Sequence, residues 1–421
     1  MNATANPPRS KTYRTFVQFP IALLAAGLLV VAADPAGASE PDLFGPGVRA
    51  PALGGTGVSY GDDFEATYAN PAGLAFARTR RLVLGYVAAR ASLTIDGQPH
   101  AASDTNGLFL GAQLPLPLGG VMEGRLVLGL LMYLPTNVVN RAQNPFADVP
   151  TVPLLDGRTQ TVSVTIGAGV RILPSLSVGV GILALAALVG SIDIQADAAG
   201  HFTAQSNEQL TASYAPIAGV RFDPGRRWHL GASVRGASLS RYDIIVRSDL
   251  VDLLHGVLAL PTLHVAGVSQ YDPFEAAAEV SFSPARAWLI AAGLTYARWS
   301  QMPPPVDPVT PLADGAPAPV RPDFHDVVMP RAGVEWTKLD GALRTTLRAG
   351  YFFAPSAAPD DHQHPQLDAH RHVFSGGLAI DYENVHAPIH FAGFVEWHQL
   401  QAGGRAGGSL AVVGLGLGVD L

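Results

Sequence analysis

The residues best suited to chemistry stand in one stretch near the end of the chain. His362, His364, His370 and His372 lie among Asp360, Asp361 and Asp368, and imidazoles with carboxylates are ligands for a transition metal. Their spacing matches no closed site, and the stretch falls between two strand-like segments, where a solvated loop is expected. No metal is therefore expected. The reading finds neither a nucleophile-elbow serine nor a His-Glu-x-x-His pair. Gly54-Gly55-Thr56-Gly57 has the glycine content of a phosphate loop, but no Lys follows and no strand-to-helix context surrounds it, so it reads as a turn. The chain has no cysteine, which excludes disulfides, thiolate metal sites, cysteine nucleophiles and a lipoprotein anchor. No catalytic residue, metal or cofactor is assigned.

Without an active site to position, the elements must be read for another purpose. The chain has 421 residues, 48% hydrophobic and only 14% charged, with 45 glycines and a net charge of −7. That charge leaves no basic footprint for nucleic acid. Arg9, Lys11 and Arg14 precede the apolar run Phe19 to Ala33, and Ala36-Gly37-Ala38 follows as an A-x-A site. This is the pattern of a cleaved export signal, so residues 1–38 are set aside as a signal peptide. Leu176 to Ile192 is the other long apolar run. It is short of the roughly 20 residues a spanning helix needs, and Gly179 and Gly181 weaken it further.

Alternation with period two runs through the rest. Ala411, Val413, Leu415, Leu417, Val419 and Leu421 share one face of the last segment, and Gly414, Gly416, Gly418 and Asp420 share the other. Leu343 to Phe353 and Arg371 to Tyr382 alternate in the same way. Successive side chains of a strand point to opposite faces, so these are strands with one greasy side. Such segments begin near residues 80, 106, 122, 158, 175, 207, 226, 260, 286, 326, 342, 371, 388 and 408.

Short turns at 118–120, 173–175, 223–225, 283–285 and 339–341 alternate with long loops near 135–157, 301–325 and 355–370. This is the pattern of an antiparallel transmembrane barrel. An even strand count brings both ends to the side from which an exported chain starts. Tyr133, Trp299, Tyr351, Phe353 and Trp397 are expected at outer strand ends, and Trp228, Trp336 and Tyr382 at inner ends, as two aromatic girdles. The reading is all-β: about fourteen strands over residues 80–421, preceded by a glycine-rich segment, 39–79, that either plugs the lumen or trails from the barrel.

Within that segment, Gly47 to Gly57 (GVRAPALGGTG), Asp62-Asp63 and Asn70-Pro71-Ala72-Gly73-Leu74 resemble the N-terminal hatch of the long-chain fatty-acid outer-membrane transporter (FadL/TodX) family. Leu294 to Ser300, Thr346 to Phe352 and Leu367 to Leu378 resemble later blocks of the same family, in the same order. The resemblance implies a 14-stranded barrel plugged by residues 39–79. Gly54, Gly55, Gly57, Asp62, Asp63, Asn70, Pro71 and Ala72 would form the hatch motif. The family carries long-chain fatty acids or aromatic hydrocarbons, which leave sideways through the barrel wall. Its members end in an aromatic residue where this chain ends in Leu421.

Ile182 to Val189 is apolar on both faces, so one apolar face points inward, where a water-filled porin would need a polar lumen. A buried methylene contributes about 0.8 kcal/mol, so an acyl chain could bind with few hydrogen bonds. Pro71 fixes its own φ and biases Asn70 toward extended backbone, while the Asn70 side-chain oxygen can cap a turn. Asn70-Pro71-Ala72 would be a rigid elbow holding plug to wall. The expected partners are hydrophobic small molecules, outer-membrane lipid with lipopolysaccharide, and the barrel-insertion machinery. Two alternatives stay open: a general-diffusion or structural barrel, and an outer-membrane lipid hydrolase whose serine and histidine sit on neighbouring strands.

Overall fold

The computed structural model describes residues 43–421 apart from 101, 103, 137–149, 151, 153–154, 156–161, 197–201, 250–262, 305–321, 360–365, 384–386 and 402–404. The leader, residues 39–42, His362 and His364, and most of the long loops thus lie outside the described residues.

Fourteen strands form the wall: β1 Arg81–Ile95, β2 Thr105–Pro115 (with a short lead-in, Gln98–His100), β3 Leu126–Pro135, β4 Ser163–Leu173, β5 Leu176–Ala196 and β6 Phe202–Phe222. The seventh and eighth are each interrupted: β7 is Trp228–Arg235 then Ser238–Asp249, and β8 is Leu263–Asp272 then Glu275–Phe282. The rest are β9 Trp288–Ala297, β10 Val327–Asp340, β11 Leu343–Ala354, β12 Arg371–Tyr382, β13 Ile389–Leu400 and β14 Ala406–Asp420. Their starts fall within a few residues of those read from the alternation. Closure comes from β1 and β14, paired antiparallel from Arg81–Asp420 to Ile95–Ala406. At the short-turn end this seam is fastened by Arg81, whose Nε lies 2.6 Å from Asp420 Oδ1, with His390 Nε2 3.2 Å from the same oxygen.

The pleat sorts side chains between the barrel's exterior and its lumen. On β14 Val413, Leu415 and Leu417 point outward, while Val412, Gly414 and Gly416 are buried inside. On β1 Leu82, Leu84 and Tyr86 face out and Val83 and Val87 face in. Among the described residues no helix is long and apolar enough to cross a membrane; the apolar exterior belongs to the strands. Trp228 meets Phe282 and Trp288 meets Trp336 across neighbouring strands near the short turns, and Tyr351, Phe374 and Trp397 mark the opposite end. Two girdle expectations fail. Tyr133 is fully buried and Trp299 nearly so. Tyr133 has the inward parity of its strand, and Trp299 sits in a 3-10 turn (Trp299–Gln301) that folds over the lumen.

A barrel this wide needs its interior filled. Near the long-loop end an apolar cluster includes Tyr271, Trp299, Met302, Phe324, Met329 and Phe352. Nearer the short turns, residues 43–77 lie inside the barrel as two single-turn helices, α1 Arg49–Ala52 and α2 Ala66–Ala69, and a 3-10 helix, Pro71–Phe76. Phe44, Val48 and Phe64 join Phe109, Leu131 and Phe394 of the wall in one apolar cluster. Each aromatic ring so buried contributes about 2 kcal/mol.

Candidate functional site

The site is the contact between residues 43–77 and the inner wall. Asn70 is fully buried and extended, at φ −162° and ψ 100°. Its Oδ1 accepts from the Ala72 N–H at 3.1 Å, capping the 3-10 helix whose first residue is Pro71. Its Nδ2 donates to two carbonyls, Val58 at 2.7 Å and Val220 of β6 at 3.0 Å. One side chain thus ties the segment to itself and to the wall. Ala72 is fully buried, and its carbonyl accepts from Ser177 Oγ of β5 at 2.8 Å.

The wall makes room with glycine. A Cβ on Gly179 or Gly169 would run into the Pro71–Ala75 backbone, and one on Gly219 into Asn70. On the other side Gly333 and Gly350 accept Leu53 and Gly54. Gly54 has φ +68°, and a Cβ there would lie 2.6–2.8 Å from backbone atoms of Tyr351 and Ala332. Only glycine meets both demands. Its N–H donates to Ser375 Oγ of β12 at 3.0 Å. Gly55, at φ +67°, abuts the Arg331 guanidinium, and the Gly57 N–H donates to Glu279 Oε2 of β8 at 2.9 Å.

Asp62 and Asp63 belong to a charged cluster facing the short-turn end. Arg49 Nη1 lies 2.8 Å from Asp62 Oδ1 and 3.8 Å from Asp63 Oδ2, and Asp62 is half exposed. Arg49 also holds Glu335 of β10 with both ends of its guanidinium, at 3.0 and 3.1 Å, and Arg348 of β11 reaches the same carboxylate at 2.8 Å. Glu65 accepts from the N–H groups of Val48, Arg49 and Ala50, each at 2.7 Å, which satisfies the start of α1. Burial and the neighbouring Asp63 push the Glu65 carboxyl up to about 8, against the pull of those three N–H bonds.

Several of these residues escaped the sequence reading. Glu279 also accepts from Ser59 N and Oγ, and Arg221 of β6 donates to the Gly61 carbonyl at 3.0 Å while its guanidinium lies over the Phe76 ring at 4.0 Å. A usable signal is a charge at inward parity within a strand, as with the buried Glu279 in EAAAEVSF. A second omission is a correction: Gly57-Val58-Ser59-Tyr60-Gly61 does spell Gly-x-Ser-x-Gly. Ser59 is nevertheless no elbow nucleophile. It is fully buried, it follows no strand, and its Oγ donates to Glu279 at 2.6 Å and lies 3.0 Å from Ser281 Oγ. Of the histidine group, His370 Nδ1 accepts from the Ser356 N–H and His372 Nδ1 lies 2.8 Å from Tyr351 Oη.

Above the segment lies a cavity of about 80 Å³, bounded below by Phe44, Gly55 and Tyr68 and at the sides by Arg235, Arg331 and Phe352. Its lining mixes Arg235, Glu275, Arg331 and Glu396 with Phe44, Ile217 and Phe352.

No family model matches the chain, and no curated protein matches it in sequence. Solved structures do match in fold. One, a Pseudomonas aeruginosa FadL homologue, shares 13% identity over 92% of this chain and 98% of that chain, with a TM-score of 0.59. The P. putida toluene transporter TodX shares 16% identity over 90% of this chain and 99% of that one, with a TM-score of 0.52. The Ralstonia pickettii toluene transporter TbuX shares 13% identity over 90% and 99%, with a TM-score of 0.54.

Proposed function

We propose that this chain, which has the fold of FadL/TodX-type barrels, is an outer-membrane transporter for hydrophobic compounds. Residues 39–79 would act as the hatch, with Asn70-Pro71-Ala72 as its elbow and Gly54, Gly55, Gly57, Asp62 and Asp63 completing the motif. The observation that carries this reading is the pairing of two interior layers. A segment docked by charge and hydrogen bonds stands below, and a buried apolar cluster that includes Trp299, Phe324 and Phe352 stands above. Such an interior offers a hydrophobic molecule a partition site.

The cargo is proposed to be a long-chain fatty acid, with aromatic hydrocarbons the second class, as the toluene transporters of like fold suggest. Release would be sideways into the membrane, with the signal peptide, residues 1–38, removed on export. Saturable binding of labelled oleate to the purified mature protein, altered by deletion of residues 39–79, is the expected result. Displacement of oleate by toluene would widen the cargo class. A folded barrel that binds neither compound would refute the transporter reading.

A further inference from the structure

Most cations on the short-turn rim have a partner. Arg81 holds Asp420, Arg221 holds Asp223, Arg344 holds Glu383 and Lys338 holds Asp340. Arg125 and Arg171 donate to the Ile172 and Gly124 carbonyls. Three arginines differ. Arg226 and Arg227, in the β6–β7 turn, and Arg286, in the β8–β9 turn, are exposed, and none has a carboxylate within ion-pair reach among the described residues.

The two turns are neighbours. Ser283 N donates to the Arg227 carbonyl at 2.8 Å, and Thr337 N of β10 donates to the Ala287 carbonyl at 2.8 Å. The three guanidiniums therefore stand along one arc of the rim, over β7 to β10. The single acid of these turns, Asp223, is committed to Arg221 at 3.0 Å and His229 at 2.9 Å. Like charges gathered in this way favour an anion from outside the chain.

On the strand side of these cations the outer face is aromatic. Trp228 follows Arg227, Trp288 lies two residues beyond Arg286, and Trp336 lies on the neighbouring β10. Trp228 packs against its register partner Phe282, with ring centroids 4.5 Å apart, and Trp288 against its partner Trp336 at 6.5 Å. Trp228 and Trp288 are half exposed. The indole N–H groups of Trp228, Trp288 and Trp336 have no acceptor among the described residues. An indole at a membrane surface keeps its ring in the apolar layer and gives its N–H to a polar group at the boundary. Leu230 and Ile290, both exposed, carry the same faces toward the middle of the barrel. The far side of the rim lacks this pairing. Arg78 and Arg80 are exposed there, but neither β1 nor β14 contains a tryptophan.

We infer that the arc over β7 to β10 is a binding site for an anionic phospholipid. Its phosphodiester headgroup lies on Arg226, Arg227 and Arg286, its ester region at the indole N–H groups, and its acyl chains along Leu230 and Ile290. Guanidinium offers paired N–H donors that match phosphate oxygens. A soluble acidic protein would meet the cations and leave the indoles unused, whereas a lipid engages both. The site presupposes a barrel that spans the outer membrane, as proposed above.

Tryptophan quenching of the full mature chain tests the site in phosphatidylcholine vesicles, with either brominated phosphatidylglycerol or brominated phosphatidylcholine as the quencher. The wild type should favour phosphatidylglycerol. Arg227→Gln with Arg286→Gln should reduce that preference by about 10–30-fold. Arg78→Gln with Arg80→Gln removes equal charge from the far side and should leave it unchanged. A wild type without preference would overturn the lipid site and leave the cations to an acidic soluble partner. An equal fall in both double variants would overturn it in favour of unspecific charge attraction. A chain that does not insert into the vesicles as a heat-modifiable barrel would remove the membrane reading as well. Native mass spectrometry of detergent-released protein gives a second readout. Phosphatidylglycerol should remain on the wild type and the far-side variant and be lost from the arc variant; retention on all three would contradict the site.

Discussion

Arg49 and Glu335 stand 286 residues apart in sequence, yet two hydrogen bonds of 3.0 and 3.1 Å join the guanidinium of one to the carboxylate of the other inside the barrel. The pair ties the N-terminal segment to a strand on the far side of the chain. Arg348 shares the carboxylate, so its loss takes one anion from two arginines and leaves Arg49 to Asp62 and Asp63 alone. Glu335→Ala should destabilise docking by about 1.5–3 kcal/mol, the loss of charge-assisted hydrogen bonds to a buried carboxylate. Hydrogen exchange of residues 49–57 is the measurement. Faster exchange there, with the strands still protected, is the expected outcome; protection equal to wild type would refute the anchoring role.

Asn70 makes a comparable claim through hydrogen bonds alone. Asn70→Ala leaves the Val58 carbonyl without its side-chain donor and the Ala72 N–H without its cap, and should cost about 1–3 kcal/mol of docking. Asn70→Asp should be worse, because it sets a carboxylate against two carbonyls. Limited proteolysis of folded barrels should cut the segment faster in the order wild type, Ala, Asp, with barrel heat-modifiability unchanged. An Asp variant as resistant as wild type would dismiss the clip.

Two glycines on neighbouring strands separate docking from strand stability. A Cβ on Gly350 would run into the Gly54 backbone, whereas one on Gly376 meets only the Arg348 carbonyl at 3.7 Å. Gly350→Ala should therefore weaken docking by about 1–3 kcal/mol, as overpacking does, and Gly376→Ala should not. If both variants lower the barrel's melting temperature equally and leave exchange of residues 50–56 alone, the seating argument fails.

The Glu65 carboxyl gives docking a pH dependence whose sign can be worked out. Its docked value, about 8, lies above the roughly 4.3 of a free glutamate. The docked form therefore holds a proton that the released form loses. Docking is strongest below about pH 4.3 and weakens as pH rises toward 8, where the effect levels off. Exchange of residues 48–52, corrected for intrinsic rates, should show this trend. Glu65→Gln, which cannot ionise, should flatten it. A slope that survives in the Gln variant would assign the effect elsewhere.

Much of the wall was legible because the signal is local. Alternation on β11, β12 and β14 follows from the pleat, and turns such as 223–225 and 339–341 announce themselves by Pro or Gly. Parity and height were harder. Tyr133 looks like a girdle residue by position but points inward, because one residue of register decides the face, and Trp299 is carried inward by a 3-10 turn beyond the strand end. The hatch motif could be picked out as a run of glycines, but its partners could not. Glu279, Glu335 and Arg221 lie more than a hundred residues from the groups they hold, and nothing local to Arg49 names Glu335.

On the proposed function, the intact barrel is closed to ions and open to hydrophobic molecules because residues 43–77 fill its lumen. Ion current through planar bilayers carrying the purified protein tests this most directly. The intact chain should show no large steady conductance, and deletion of residues 43–77 should open one. A large steady current through the intact, folded chain would contradict the account and favour a water-filled pore.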